Sequence, residues 1–128
     1  EKGAKRALPL PVSVPSHCAL MKPAAEQLRA ALATIEVRAA NVPVLHNADV
    51  AAHDTADAIR DALARQLYSP VRWVESMYAL RDQGVQLIAE CGPGKVLAGL
   101  NKRTLEGVPT VAIADAATLA DVLEKTKA

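Results

Sequence analysis

The stretch Val85-Gln86-Leu87-Ile88-Ala89-Glu90, followed by Cys91-Gly92-Pro93-Gly94 and then Lys95-Val96-Leu97-Ala98, decides the fold class. A short apolar run bounded by turn residues reads as a strand, and Gly-Pro-Gly as a tight turn. The residues that follow, 95–105, read as a helix. Gly107-Val108-Pro109 turns the chain again, into a run at 110–114 that reads as a second strand. Strand, helix and strand in succession predict parallel strands joined by a helical crossover.

The pattern extends outward on both sides. Downstream, residues 118–125 read as a last helix. Upstream, Gly84 supplies the stop of a helix that Ser69 caps, with Pro70 at its first position. Proline disfavours helical dihedrals in the residue before it, so Tyr68-Ser69-Pro70 also ends the preceding helix. That helix starts at Thr55 as N-cap, and its stripe is Ala58 or Ile59, Ala62 or Leu63, and Gln66 or Leu67. Residues 48–54 read as a loop, and Asn41-Val42-Pro43-Val44-Leu45-His46-Asn47 as a short buried strand. Residues 19–34 read as a helix with Leu20, Ala24, Leu28, Ala31 and Leu32 on one face. Pro23 is tolerated there only in the first turn. Residues 10–14, between prolines, read as a short edge strand. The order β-α-β-α-α-β-α-β-α predicts an α/β layer of mainly parallel strands flanked by helices.

The 128 residues are 51% hydrophobic and 23% charged, with a formal net charge of +1. That balance excludes the strong basic excess of a general nucleic-acid binder. No apolar run is long enough to cross a membrane. The aromatic residues are Trp73, Tyr68 and Tyr78 alone, so the core rests on Leu, Val, Ile and Ala. Two isolated thiols, Cys18 and Cys91, lack metal-ligand spacing and fit a reducing cytoplasm. The first residues, Glu1-Lys2-Gly3-Ala4-Lys5-Arg6, read as the middle of a longer sequence.

In open α/β sheets functional groups gather at the carboxyl ends of strands. Three places qualify: Pro15-Ser16-His17, Asn47-Ala48-Asp49, and Cys91-Gly92-Pro93-Gly94. His17 opens a helix after a strand, where an imidazole can serve as general base if one nitrogen is held by an acceptor. Pro70 bears on this. A helical carbonyl at residue i takes the N–H of residue i+4, and proline has none. The Gln66 carbonyl is therefore left without its helical partner and needs another donor. An imidazole N–H, water or the Ser69 side chain would each serve. Gly92-Pro93-Gly94 reads as a structural turn, although helix N-termini attract anions. Cys18 adjoins His17 but neighbouring side chains diverge, and a buried inert thiol is the expected state. His46 and His53 show no zinc-type spacing, so no metal site is expected. None of the four serines, Ser13, Ser16, Ser69 and Ser76, is flanked by the glycines of a nucleophile elbow. A general base at His17 therefore implies a nucleophile outside these residues.

Three runs carry a resemblance. Leu8-Pro9-Leu10-Pro11-Val12-Ser13-Val14-Pro15-Ser16-His17-Cys18-Ala19-Leu20-Met21 closely resembles the region of the catalytic histidine in bacterial malonyl-CoA:acyl-carrier-protein transacylases. Arg65-Gln66-Leu67-Tyr68-Ser69-Pro70-Val71-Arg72-Trp73 and Glu90-Cys91-Gly92-Pro93-Gly94-Lys95-Val96-Leu97-Ala98-Gly99-Leu100 resemble two further signatures of that family, in its order and spacing.

The resemblance implies a part of the family's hydrolase-like large subdomain. Residues 9–128 would be its C-terminal half and residues 1–8 the end of a small ferredoxin-like subdomain that is largely missing. It implies malonyl transfer from malonyl-CoA to the phosphopantetheine thiol of acyl carrier protein in fatty-acid biosynthesis, through a serine ester. His17 matches the catalytic histidine, and Gln66 the residue whose main-chain carbonyl orients it. Lys5 and Arg6 match basic positions near the entrance, and Ser16 lies beside the acyl pocket. No cofactor, metal, nucleic acid or membrane is implied beyond the substrate and the carrier's phosphopantetheine, and the intact enzyme is expected to be a monomer. The family's serine elbow, oxyanion-hole groups and malonyl-binding arginine would lie upstream of Glu1. The competing expectations are an inactive structural fragment and an acyltransferase domain of a polyketide synthase. The polar last helix, with no linker after it, favours a stand-alone fatty-acid enzyme.

Overall fold

The computed structural model describes Gly3, residues 6–9 and residues 11–126. A single 3-10 turn, Ala19–Met21, leads into α1 (Lys22–Ala33). Then come β1 (Leu45–His46), β2 (Ala51–Ala52), α2 (Ala56–Arg65), α3 (Trp73–Asp82), β3 (Ile88–Cys91), α4 (Val96–Thr104), β4 (Thr110–Ile113) and α5 (Ala116–Lys125). β1 pairs with β2, and β3 with β4. The chain divides into two compact units: residues 1–48 with 52–71, and residues 49–51 with 72–128.

The first unit is built on α1 packed against α2. Small residues sit at its centre: Ala25, Ala62 and Ala64 are fully buried, and Leu32 nearly so. Thr55 caps α2, its side chain accepting from the Ala58 amide at 3.3 Å. Ion pairs tie the helices together. Asp61 accepts from Arg65 at 2.6 Å, one turn along α2, and from Arg29 of α1 at 3.0 Å. The Arg65 hydrogen bond, and then that of Arg29, hold the Asp61 carboxyl below the usual carboxylate range. Arg60 closes the far end of α1 by donating to the carbonyls of Leu32 and Ile35 at 3.0 and 2.9 Å. Those carbonyls lie at the helix end, where intrahelical donors run out.

In the second unit β3 and β4 run parallel, from Ile88 opposite Thr110 to Cys91 opposite Ile113, with α4 between them in sequence. This is the strand-helix-strand unit the sequence predicts. α3 ends in a Schellman motif: the Gly84 amide donates to Arg81 O at 2.8 Å and the Val85 amide to Leu80 O at 3.2 Å. Gly84 takes φ +81°, the left-handed value that favours glycine. Asp115 and Thr118 form a capping box at α5, and the Thr118 backbone amide, then its hydroxyl, hold the Asp115 carboxyl below its usual range.

Several expectations are corrected. Residues 11–14 form no strand; they have no hydrogen-bonded neighbour among the described residues, and Pro11 offers no donor. Of residues 41–47 only Leu45–His46 is strand, and Val42 and Val44 are exposed rather than buried. Pro43 interrupts that run. The expected loop at 48–54 contains β2. α1 and α3 start later than expected. Ser69 does not cap α3, which starts only at Trp73; the Ser69 amide donates back to Arg65 O at 3.1 Å and extends the tail of α2. Arg72 is the N-cap instead. The helix at 118–125 begins two residues earlier, where Asp115 caps it. Of residues 1–8, expected to end a small subdomain, residues 1, 2, 4 and 5 lie outside those described.

Candidate functional site

His17 sits in the turn between the proline-rich segment and the 3-10 turn that leads to α1. Its Nδ1 is 2.9 Å from the carbonyl oxygen of Gln66. A carbonyl can only accept, so the proton of the neutral ring sits on Nδ1 and the lone pair on Nε2. The hydrogen-bond pattern around Gln66 explains why its carbonyl is available. Helical bonding at the end of α2 continues to the Ser69 amide, which donates to Arg65 O. The next bond would come from residue 70, which is proline. Of the three donors open to Gln66 in the sequence, the imidazole is the one found.

The backbone of His17 takes part as well. Its amide donates to the carbonyl of Leu67 at 2.9 Å, so two consecutive carbonyls at the end of α2 receive one residue. His17 has φ +65°, in the left-handed region where a non-glycine side chain is strained. Sequence reasoning missed this second anchor. Its signal was the same proline: a helix halted at Pro70 leaves more than one carbonyl open.

The remaining candidates are placed as follows. Ser16 precedes His17 in the same turn and is exposed, as is Arg6. Lys5 lies outside the described residues. The Cys18 thiol donates to the Pro15 carbonyl at 3.2 Å, so it is bonded away from the imidazole. Cys18 and Cys91 are both free thiols. The rings of His46 and His53 stand 5.2 Å apart, centroid to centroid. Among the described residues no group of three or more His, Cys, Asp or Glu is placed to hold a metal ion. No helix among them is long and apolar enough to cross a membrane.

In the second unit, the turn after β3 already has its anion. Glu90 reaches from the strand to the start of α4 and accepts from the amides of Leu97 at 3.2 Å and Ala98 at 2.8 Å. These are donors that a helix N-terminus otherwise leaves unpaired. Gly92-Pro93-Gly94 is thus the bend that lets a strand carboxylate cap the following helix, which supports its structural reading.

No family model matches the chain. Comparison with known proteins is nonetheless decisive. The malonyl CoA-acyl carrier protein transacylase of Escherichia coli K12 is 55% identical over 122 residues, which is 95% of this chain and 40% of that protein. The one from Bacillus subtilis strain 168 is 43% identical over 127 residues, 99% of this chain and 40% of the relative. Among solved structures, an acyl-carrier-protein S-malonyltransferase from Burkholderia pseudomallei superposes with a TM-score of 0.90 at 50% identity, covering 96% of this chain and 40% of that one. A malonyl-transacylase solved in complex with a type II PKS acyl-carrier protein gives 0.91 at 53% identity, with the same coverage. The chain spans about two-fifths of the length of the relatives it matches. In sequence along nearly its whole length, and in fold, it belongs with the malonyl CoA-acyl carrier protein transacylases.

Proposed function

We propose that this chain supplies the general base of a malonyl transferase, which moves a malonyl group from malonyl-CoA to the phosphopantetheine thiol of an acyl carrier protein. The observation that carries the reading is the 2.9 Å contact between His17 Nδ1 and the Gln66 carbonyl. It is the orienting half of a catalytic triad, with a backbone oxygen in the place of the usual carboxylate.

The nucleophile is a serine hydroxyl from the part of the longer protein that these residues do not include. His17 Nε2 takes the serine proton as the serine oxygen attacks the malonyl thioester. The C–S bond breaks, and the imidazolium gives its proton to the departing CoA thiolate. In the second half Nε2 removes the proton from the carrier's thiol, which attacks the malonyl-serine ester. The serine oxygen leaves and recovers a proton from Nε2. The Gln66 carbonyl holds the ring in one tautomer and stabilises the imidazolium of each half, more weakly than a carboxylate would. Ser16 and Arg6 precede His17 in sequence and are exposed; with Lys5 they are candidates for the acyl pocket and for the acidic carrier or the CoA phosphates. No group beyond the substrate and the carrier's phosphopantetheine is needed for these steps.

Fatty-acid synthesis is the setting the resemblance implies. A polyketide setting has one observation behind it, the 53% identical transacylase solved with a polyketide carrier protein. Transfer rates to one carrier of each kind decide between them. The base itself is tested by His17→Ala in the full-length protein, where malonyl transfer is expected to fall at least ~10³-fold, as in triad knockouts. Near-normal turnover would remove His17 from the mechanism.

A further inference from the structure

Gln66, Leu67 and Tyr68 are consecutive, and the segment that begins at His17 meets each of them once. The imidazole of His17 contacts the Gln66 carbonyl and its amide the Leu67 carbonyl, both at 2.9 Å. The third contact is made by Lys22, whose ammonium stands over the Tyr68 ring, 5.9 Å from its centroid. Lys22 is the first residue of α1, where the helix dipole is positive and a cation is unfavourable. The first turn of α1 carries no acidic residue to offset it, and the helix has no side-chain N-cap. The helix itself therefore gives no reason for a lysine there. The negative face of the Tyr68 ring does, because it attracts a cation held within about 6 Å of the centroid.

We propose that Lys22 and Tyr68 are a positioning pair for His17. The two hydrogen bonds attach residue 17 to the end of α2 but leave the start of α1 able to pivot about them. The ammonium-ring contact, five residues further on, fixes that pivot and so fixes the angle at which Nδ1 meets the Gln66 carbonyl. Neither side chain touches the imidazole or the reacting atoms in this account. The proposal rests on the reading of His17 as general base.

The test uses the full-length enzyme with malonyl-CoA and a carrier protein. Lys22→Met and Tyr68→Leu should each lower kcat about two- to fivefold, the range expected for an exposed cation–ring contact. KM for malonyl-CoA should stay unchanged. Lys22→Arg and Tyr68→Phe, which keep a cation and a ring face, should restore kcat. The double variant should be no slower than the slower single one, since the two act through one contact. A raised KM with unchanged kcat in Lys22→Met would assign the lysine to binding a substrate anion and overturn the proposal. Additive losses in the double variant would overturn the pairing. If His17→Ala abolishes turnover while both single variants keep the wild-type kcat, only the positioning proposal falls; if His17→Ala retains turnover, the base reading falls first.

Discussion

Replacing Pro70 by alanine isolates the feature on which the site depends. Alanine restores an N–H at the one position where α2 lacks its next helical donor. Hydrogen bonding at that end already reaches the Ser69 amide, 3.1 Å from Arg65 O, so the new amide at position 70 is the next in line for the Gln66 carbonyl. It would compete there with His17 Nδ1, now at 2.9 Å. A hydrogen bond to a charged group is worth about 1.5–3 kcal/mol net. The imidazolium forms only as the reaction proceeds, so losing half to all of that bond raises the barrier by about 1–3 kcal/mol, or about 5- to 160-fold in kcat/KM. Steady-state malonyl transfer by the full-length variant measures the loss. A urea titration beside it checks that the variant is as stable as the parent, as expected for a substitution that adds a helical bond. Parental kcat/KM would mean that the proline-freed carbonyl does not hold the imidazole.

Three further outcomes are expected. Glu90→Ala leaves the Leu97 and Ala98 amides without their carboxylate and should destabilise the full-length protein by about 1–2 kcal/mol, read as a lower urea midpoint at constant slope and partly recovered by added sulfate; a change below about 0.5 kcal/mol would show that water replaces the cap at no cost. Asp61→Asn removes a carboxylate whose folded pKa lies below its unfolded one, so its contribution is full above the unfolded value, about 4, and is lost as pH falls through the folded value. Since that side chain is 44% exposed, the loss at neutral pH should not exceed about 1 kcal/mol, and it should shrink in high salt and vanish in acid; a loss independent of pH would point to packing instead. The 128-residue chain by itself should transfer no malonyl group in a radiolabelled assay, and measurable transfer would place a nucleophile among its own four serines.

What the sequence disclosed was local chemistry, and what it hid depended on contacts between segments. Thr55 as a cap, Gly84 as a stop and the β3–α4–β4 succession are each set by a few adjacent residues. The Gln66 carbonyl was legible for the same reason: Pro70 lies four residues away and its effect is obligatory. The edge strand at 10–14 was not settled by its own residues, because a strand exists only when a neighbour accepts its hydrogen bonds. Leu20 and Val12, 74% and 69% exposed, show how much apolar surface near His17 is left open. The left-handed backbone of His17 was hidden too. Histidine enters that region more readily than most residues but still rarely, and here the carbonyl of Leu67, fifty residues on, takes its amide.

These particulars bear on how the base is built. A side-chain carboxylate that orients a histidine needs its own supports and can rotate. The carbonyls of Gln66 and Leu67 are fixed by the helix that ends in them, so their direction follows from α2 itself. Two carbonyls then set two properties of one residue: Gln66 the ring tautomer, Leu67 the strained backbone from which the ring projects. The cost is weaker support for the imidazolium, which lacks a full negative charge opposite it. That would suit the proposed transfer, with two proton transfers of opposite direction in each half of the turnover: an imidazolium held too firmly would give its proton slowly to the CoA thiolate and to the serine oxygen. Gln66→Ala should therefore leave transfer close to the parental rate in the full-length enzyme, because the backbone oxygen is unchanged, whereas a large loss would mean that the Gln66 side chain, and not its carbonyl, does the work.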